Sequence, residues 1–261
     1  MTLWCCTCLS LITTLAAPAA EHGASGKTTS KTTSPAASAG THWSYEGDTG
    51  PEHWGELDKA YAACSSGKQQ SPVDVAHATS GELTPLVFNY RDGGYEVVNN
   101  GHTIQVNYKA GNTLKVAGKR YELKQFHFHA PSENMIDGAH FPMELHLVHA
   151  DAEGHLAVVG VMIEQGAWNR EVSKAWLAMP QEEGSNAISN LVNAGGLLPK
   201  DRAYYRFAGS LTTPPCTEGV TWLLLKQHIT LERKQIVKFM AAMHHDNNRP
   251  VQPLQGRVIE E

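Results

Sequence analysis

Gln125-Phe126-His127-Phe128-His129 alternates polar and aromatic residues, and this short pattern limits what the chain can build. Successive side chains of a strand point to opposite faces, so Gln125, His127 and His129 share one face while Phe126 and Phe128 bury on the other. The pattern calls for a sheet with one face in a core and the other lined with nitrogen donors. Glu144-Leu145-His146-Leu147-Val148-His149 repeats it, with Glu144, His146 and Val148 in phase. If the two segments lie side by side, His146 joins His127 and His129 as a third nitrogen. Three protein ligands around zinc leave the fourth tetrahedral position open, as a catalytic site requires. Gln125 and Glu144 stand two residues from histidines on the same face, placed to hold the second ring nitrogens. By itself one H-x-H segment reads as two histidines on a half-exposed face; the second strand in phase tips the reading to a metal site. His149 points to the opposite face and is expected to be structural. His244-His245 would not face each other on a helix and are read as surface.

The same strand logic applies to Leu86–Tyr90, Tyr95–Asn99, Thr103–Tyr108, Thr113–Val116, Leu156–Ile163 and Val220–Lys226. Arg91–Gly94 and Ala110–Asn112 read as turns between paired strands. Helical spacing is confined to Trp54–Cys64, Arg170–Met179, Asn186–Leu191 and Leu231–His244. This order predicts a sheet with scattered helices, not alternating βαβ units. There is no fixed-period repeat and no glycine-rich phosphate loop.

Residues 1–20 read as a signal peptide, with an apolar run from Leu9 to Ala17 and a small-residue cleavage site at Ala17-Pro18-Ala19. The run is too short to span a membrane, so no transmembrane segment is expected. No Lys or Arg precedes it, which is atypical for a leader. Residues 21–40, built of Ser, Thr, Ala, Gly and Lys, cannot bury enough surface to offset their ordering entropy and read as a flexible linker. The remaining 41–261 suffices for one large domain or two small ones, and all-β domains of this size often form a single unit. Removing the leader takes Cys5, Cys6 and Cys8 and leaves Cys64 and Cys216. In an exported protein this pair is suited to a bridge, with two buried free thiols as the alternative. A bridge closing so long a loop contributes roughly 5 kcal/mol in chain-entropy terms. A net charge of −5 excludes the basic surface that nucleic-acid binding needs. The 14 histidines raise the metal reading only modestly, since imidazoles also decorate surfaces.

Several further segments occur in one order: Gly50-Pro51-Glu52-His53-Trp54, Gln70-Ser71-Pro72-Val73-Asp74, Asn99-Asn100-Gly101-His102, Ser210-Leu211-Thr212-Thr213-Pro214-Pro215, Asn248-Arg249-Pro250 and Gln252-Pro253-Leu254. With the two histidine strands, they resemble the α-class carbonic anhydrase family, of the bacterial secreted or periplasmic type, over nearly all of Trp43 to Ile259. The resemblance implies a mainly β (α+β) single domain: a large, mostly antiparallel twisted sheet flanked by short helices, with zinc at the base of a conical cleft. It implies a zinc lyase that reversibly hydrates carbon dioxide to bicarbonate and a proton by zinc-bound hydroxide. His127, His129 and His146 would hold Zn2+. Thr212 would accept the hydroxide's hydrogen and donate its own to Glu133, and its backbone amide would contact bicarbonate. His102 would be the proton shuttle, with Tyr45, Asn100 and Gln105 ordering the water chain. Val148, Val158, Leu211, Val220 and Trp222 would form the apolar pocket for carbon dioxide, bordered by Thr213. Cys64 and Cys216 match the bridge of bacterial members. Sulfonamides and small anions would inhibit. Bacterial members are often dimers, and no interface for a homodimer is readable here. Two departures stand out. Ala130 replaces the Trp of animal members, and Asn134 replaces a histidine, at an expected cost in packing or hydrogen bonds.

Overall fold

Alternating burial along the predicted strands is met by pairing them into one large sheet. The computed structural model describes residues 42–261. The leader, the linker and Thr41 lie outside the described residues. The chain begins with two one-turn helices, α1 (Trp54–Leu57) and α2 (Ala63–Ser66). Short strands β1 (Asp74–Val75) and β2 (Ala78–Thr79) follow, then β3 (Val87–Asn89), β4 (Asp92–Asn99), β5 (Ile104–Tyr108), β6 (Thr113–Val116) and β7 (Lys119–His129). Next come β8 (Met135–Ile136), β9 (Met143–Ala150), β10 (Leu156–Gln165) and helix α3 (Arg170–Ala178). The last elements are β11 (Gly184–Asn193), β12 (Tyr204–Ser210), β13 (Glu218–Leu231), α4 (Arg233–Met243) and β14 (Ile259–Glu260).

The main sheet runs β11-β4-β5-β7-β9-β10-β13-β12-β14-β2, with β6 on the outer half of β7 and β3 beyond β6. Most pairs are antiparallel, as expected. The exceptions are β10 with β13, β14 with β2, and the separate β1–β8 pair. The parallel β10–β13 pair follows from the long excursion through α3, β11 and β12 that separates them in sequence.

One face of the sheet carries the larger core. Phe126, Phe128, Leu145, Leu147, Val159 and Val161 bury there beneath α3 and α4. Phe128 meets Trp176 edge-on at 5.0 Å, and Trp176 stacks on Phe239 of α4 at 6.0 Å. Each such side chain contributes roughly 2 kcal/mol by leaving water. The helices are set by local chemistry. Asn169 caps α3 by accepting from Glu171 N and Val172 N, and Glu232 with Gln235 forms a capping box on α4.

A bulge in β7 decides which way the histidines face. Leu123 pairs with His149 and Gln125 with Val148, so Lys124 is an extra residue. Before it Tyr121 and Leu123 are buried; after it Phe126 and Phe128 are. One inserted residue reverses the alternation of a strand. It turns Gln125, His127 and His129 away from the apolar core.

Four expectations are corrected. Asn186–Leu191 is not helical but lies inside β11, antiparallel to β4. Ile188, Leu191 and Val192 have helical spacing, yet a register shift between Ala187 and Val192 lets Ile188 and Val192 both bury from a strand. Trp54–Cys64 is broken, because Asp58 is extended (φ −149°) and its side chain accepts from Ala60 N to start a separate 3-10 turn, Lys59–Tyr61. Residues 91–94 are not a turn between paired strands: Asp92, Gly93 and Gly94 belong to β4, and Gly93 lacks a Cβ because the Tyr108 ring occupies that space. Ala110–Asn112 does turn, but β5 and β6, which it joins, both pair with β7 rather than with each other.

His149 is structural, as expected. It is fully buried, its Nδ1 donates to Ala157 O (3.1 Å), and its Nε2 accepts from Tyr90 Oη (2.5 Å). Burial pulls its pKa down to about 4. The unfolded chain therefore takes up a proton that the fold refuses, and stability falls as pH drops from 6.5 to 4. By pH 4 the loss reaches roughly 3 kcal/mol. Urea midpoints at pH 7 and pH 4 should show that extra loss in the native chain and not in His149→Gln, which keeps a donor but does not titrate. An equal acid loss in both would overturn this assignment.

Candidate metal centre

The β7–β9 register sets His127 opposite His146 and His129 opposite Glu144. On the other side of β9, His146 faces Gly160 of β10. The three imidazoles come together with centroids 5.1, 5.3 and 4.6 Å apart, and each offers one nitrogen within 4.8 Å of the others. The second nitrogen of two rings is hydrogen-bonded, and that of the third lies close to a carboxylate. His127 Nδ1 donates to Gln125 Oε1 (2.9 Å), and His129 Nδ1 donates to the Asn247 carbonyl (2.6 Å). His146 Nε2 lies obliquely over Glu144 Oε1 at 2.9 Å. These contacts turn the lone pairs of His127 Nε2, His129 Nε2 and His146 Nδ1 toward a shared space. Gln125 and Glu144 stand where strand spacing put them.

The chemistry of the donor set suits a cation. Burial holds His127 well below the usual histidine range, reinforced by repulsion from His129 and His146, and burial also lowers His129. Neutral rings keep their lone pairs free. His129 Nε2 and Glu133 Oε2 are both buried with no hydrogen-bond partner, 3.5 Å apart. Buried polar atoms left unpaired are rare, and an ion on the imidazole nitrogens satisfies the ring lone pairs. Glu144 is also fitted to this. Burial would raise its pKa, but His146 and the Asn134 donors outweigh that and keep it below the usual carboxylate range. A second group, Asp151, Glu153 and His155, lies at the surface. There Asp151 already accepts from Glu153 N, His155 N and the His155 ring.

Glu133 connects the centre to its surroundings. Its Oε1 accepts from Arg249 N (3.0 Å), and the Thr212 side chain lies near enough to help hold the carboxyl's pKa down. Burial pushes its carboxyl up to about 7, against the pull of His146, Thr212 and the Arg249 amide. Beside the histidines, the Trp222 ring meets His146 edge-on at 4.8 Å. Val148, Val158 and Trp222 are successive cross-strand partners, and Val220 and Leu211 pack into the same apolar cluster. Thr213 follows on the loop, which the Cys64–Cys216 disulfide anchors.

His102 stacks on Trp43 at 3.7 Å, and its pKa is lowered by burial and by His42 and His245. Asn100 Oδ1 is committed to the turn, accepting from His102 N and Thr103 N. Gln105 pairs across from His127 and gives its amide N–H to Asn107. The Tyr45 hydroxyl is buried without a partner.

The reading of the sequence missed Asn247 and Gly160 and misjudged Asn134 and His245. Asn247 holds His129 with its carbonyl, accepts from Ala130 N, and donates to the carbonyls of His102 and Phe128. Asn134 carries no deficit: its backbone and side-chain N–H groups donate to Glu144, and its Oδ1 accepts from Val73 N. His245 is half-buried against the 99–102 turn rather than simply surface, its Nε2 3.3 Å from Gly101 O. Gly160 leaves room for Glu144. The motif Asn248-Arg249-Pro250 lies next to Asn247 and was the one available signal for it.

The chain matches the family described as eukaryotic-type carbonic anhydrase over residues 49–261. It is 51% identical to a carbonic anhydrase of Klebsiella pneumoniae over 224 residues, 85% of this chain and 91% of that protein. It is 51% identical to one of Neisseria gonorrhoeae over 222 residues, 85% and 88% of the two chains. Among solved structures, the α-carbonic anhydrase of Thermovibrio ammonificans with the inhibitor sulfanilamide is similar at 46% identity and a TM-score of 0.84, covering 85% of this chain and 100% of that one.

A Cβ at Gly160 would lie 3.0 Å from Glu144 Oε1 and 2.7 Å from Leu224 Cδ1. Gly160→Ala should therefore cost about 2 kcal/mol in denaturant unfolding, by overpacking. An unchanged midpoint would show that the strand has slack there.

Proposed function

The chain belongs to the α-class carbonic anhydrase family, enzymes that hydrate carbon dioxide, and from that premise we propose how its own residues carry out the reaction. The observation that carries the proposal is the convergence of three imidazole nitrogens, from His127, His129 and His146, near an apolar cluster and Glu133. His127, His129 and His146 would hold one zinc ion. Zinc bound there would lower the pKa of a coordinated water to near neutrality, a shift for which this family is itself the standard example. Neutral imidazoles, unlike carboxylates, leave the ion's charge uncancelled.

The remaining work is done by side chains around the ion. Thr212 gives its hydroxyl hydrogen to Glu133, so its oxygen is left to accept one from the attacking water and to aim that water's lone pair. A cation held by the histidines would favour the ionised Glu133 that this polarity needs. Val148, Val158, Leu211, Val220 and Trp222 offer apolar carbon dioxide a surface that water does not compete for. Thr213 borders it, and the Thr212 backbone amide meets bicarbonate. Tyr45, Asn100 and Gln105 order water between the centre and His102, whose imidazole takes the released proton and passes it to buffer. Sulfonamides and small anions are the expected inhibitors; the Thermovibrio relative was solved with sulfanilamide. The Cys64–Cys216 bridge supports a periplasmic or secreted site of action, since disulfides persist where the surroundings are oxidising. Among the described residues no helix is long and apolar enough to cross a membrane.

Purified protein should carry about one zinc per chain by elemental analysis. A chelator that strips it should abolish carbon dioxide hydration in stopped flow, and re-added zinc should restore it. Full zinc occupancy after replacing His127, His129 and His146 together would sink the ligand assignment. Two further variants separate the steps. Thr212→Ala should lower kcat/KM on the order of a hundredfold, because the nucleophile loses its orientation. His102→Ala should leave kcat/KM and zinc content intact and lower kcat in dilute buffer, with recovery in imidazole. Equal losses of kcat/KM in the two variants would remove His102 from the role of shuttle.

A further inference from the structure

The two longer helices leave an apolar and cationic face that the fold does not use. α3 and α4 start side by side. Asn169 N donates to Gln235 Oε1 (3.0 Å), and Gln235 Nε2 donates to Asn169 O (2.7 Å). The loop before α3 is tied to the end of β13, by Gly166 N on Leu231 O (2.8 Å) and Thr230 Oγ1 on Ala167 O (3.3 Å). Trp168 and Arg170 therefore stand next to Arg233 and Lys234. Trp168 is 56% exposed, and Leu177, farther along α3, is 87% exposed. Trp176 O accepts from Lys238 Nζ (2.6 Å), which sets Leu177 beside α4. On α4, Val237 and Met240 are each 49% exposed, one turn apart and turned away from the buried Ile236, Phe239 and Met243. Single exposed apolar residues are ordinary, but several gathered on one face mark a contact surface.

The charge on this face sets it apart. Arg170, Arg233 and Lys234 are exposed and make no ion pair or side-chain hydrogen bond among the described residues. All three stand in the first turn of a helix, where the dipole disfavours a cation, so helix stability does not account for them. From Arg233 to Met243 there is no acidic residue, although the whole chain carries −5. The acids at the helix starts are committed within the fold. Glu171 accepts from Lys174 Nζ and Asn193 N, and Glu232 closes the capping box of α4.

We propose that the α3–α4 face docks on the surface of an anionic lipid bilayer. Trp168, Leu177, Val237 and Met240 enter the boundary between headgroups and acyl chains, while Arg170, Arg233 and Lys234 meet lipid phosphates. An indole suits that boundary, with an apolar body and one N–H to leave in the headgroups. A second copy of the chain fits less well, since a two-fold contact would set the same cations against each other. Seated this way, the protein keeps the histidine centre turned away from lipid, because His127 and His129 face the side of the sheet opposite to Phe126 and Phe128.

The test is co-sedimentation of the full chain with vesicles of phosphatidylcholine alone and of phosphatidylcholine with phosphatidylglycerol. The native chain should partition onto the anionic vesicles, and salt should weaken the partition. Arg233→Gln with Lys234→Gln should lower it about fivefold for each cation removed. Brominated phosphatidylglycerol should quench the native tryptophan fluorescence, and the quenching should fall in Trp168→Phe, which keeps an apolar ring at the same place. Carbon dioxide hydration should be the same in native chain and variants, which reports that they are folded and keeps the result separate from the reaction proposed for the metal centre. No partition of the native chain onto anionic vesicles, equal partition onto neutral ones, or equal partition of the Arg233/Lys234 variant overturns the proposal. So does a dimer in sedimentation equilibrium that Leu177→Ser dissolves while vesicles bind nothing, since the occupant is then a second copy of the chain.

Discussion

Everything in the site depends on the register between β7 and β9, and on the one extra residue in β7. Pairing sets His127 opposite His146 and His129 opposite Glu144. The Lys124 bulge then reverses the phase, so that the phenylalanines enter the core while the histidines face the other way. A slip of one residue in either strand would exchange the faces, burying imidazoles in hydrocarbon and exposing Phe126 and Phe128. The apolar core therefore does more than stabilise. Its demand for Phe126, Phe128, Leu145 and Leu147 on one side holds three nitrogens together on the other.

Around that ladder, buried polar groups are satisfied by segments far apart in sequence. Arg249 is buried, with its guanidinium donating to Gln70 Oε1 and to the carbonyls of Ser71 and Cys64, while its backbone amide reaches Glu133. Gln70 in turn donates to Cys216 O, next to the disulfide that anchors the Thr212 loop. A buried charge or amide left unpaired costs several times what a typical hydrogen bond contributes. The network therefore resists any local shift that would leave one member stranded. That is how Thr212, Glu133 and Asn247, from three different loops, keep their places beside one centre.

Local patterns in the chain were enough for the strands that carry the histidines, for the pairing of faces and for the position of Gln125 and Glu144, because side-chain alternation is a property of the backbone itself. They were enough, too, for the resemblance, which singled out Val148, Val158, Leu211, Val220 and Trp222, together in one apolar cluster, and Thr212. They failed where local and tertiary preferences diverge. Ile188, Leu191 and Val192 are spaced like a helix face, yet pairing with β4 and a register shift make them a strand. Gly93 and Gly94 look like a turn, yet they make room for Tyr108 and Val192.

What the sequence by itself determined is the donor set: which nitrogens and carboxylates can share a face, since that needs only the two-residue period of a strand. What only the tertiary structure decided is which of them meet, and with what partners. Asn247 reaches His129 across 118 residues of chain, Arg249 reaches Glu133 across 116, and His245 turns both ring nitrogens onto carbonyls of the 99–102 turn and its own loop. No spacing rule encodes such contacts. They exist because a folded interior must find partners for nearly all the polar atoms it takes from water, and that choice is made only when distant segments close on one another.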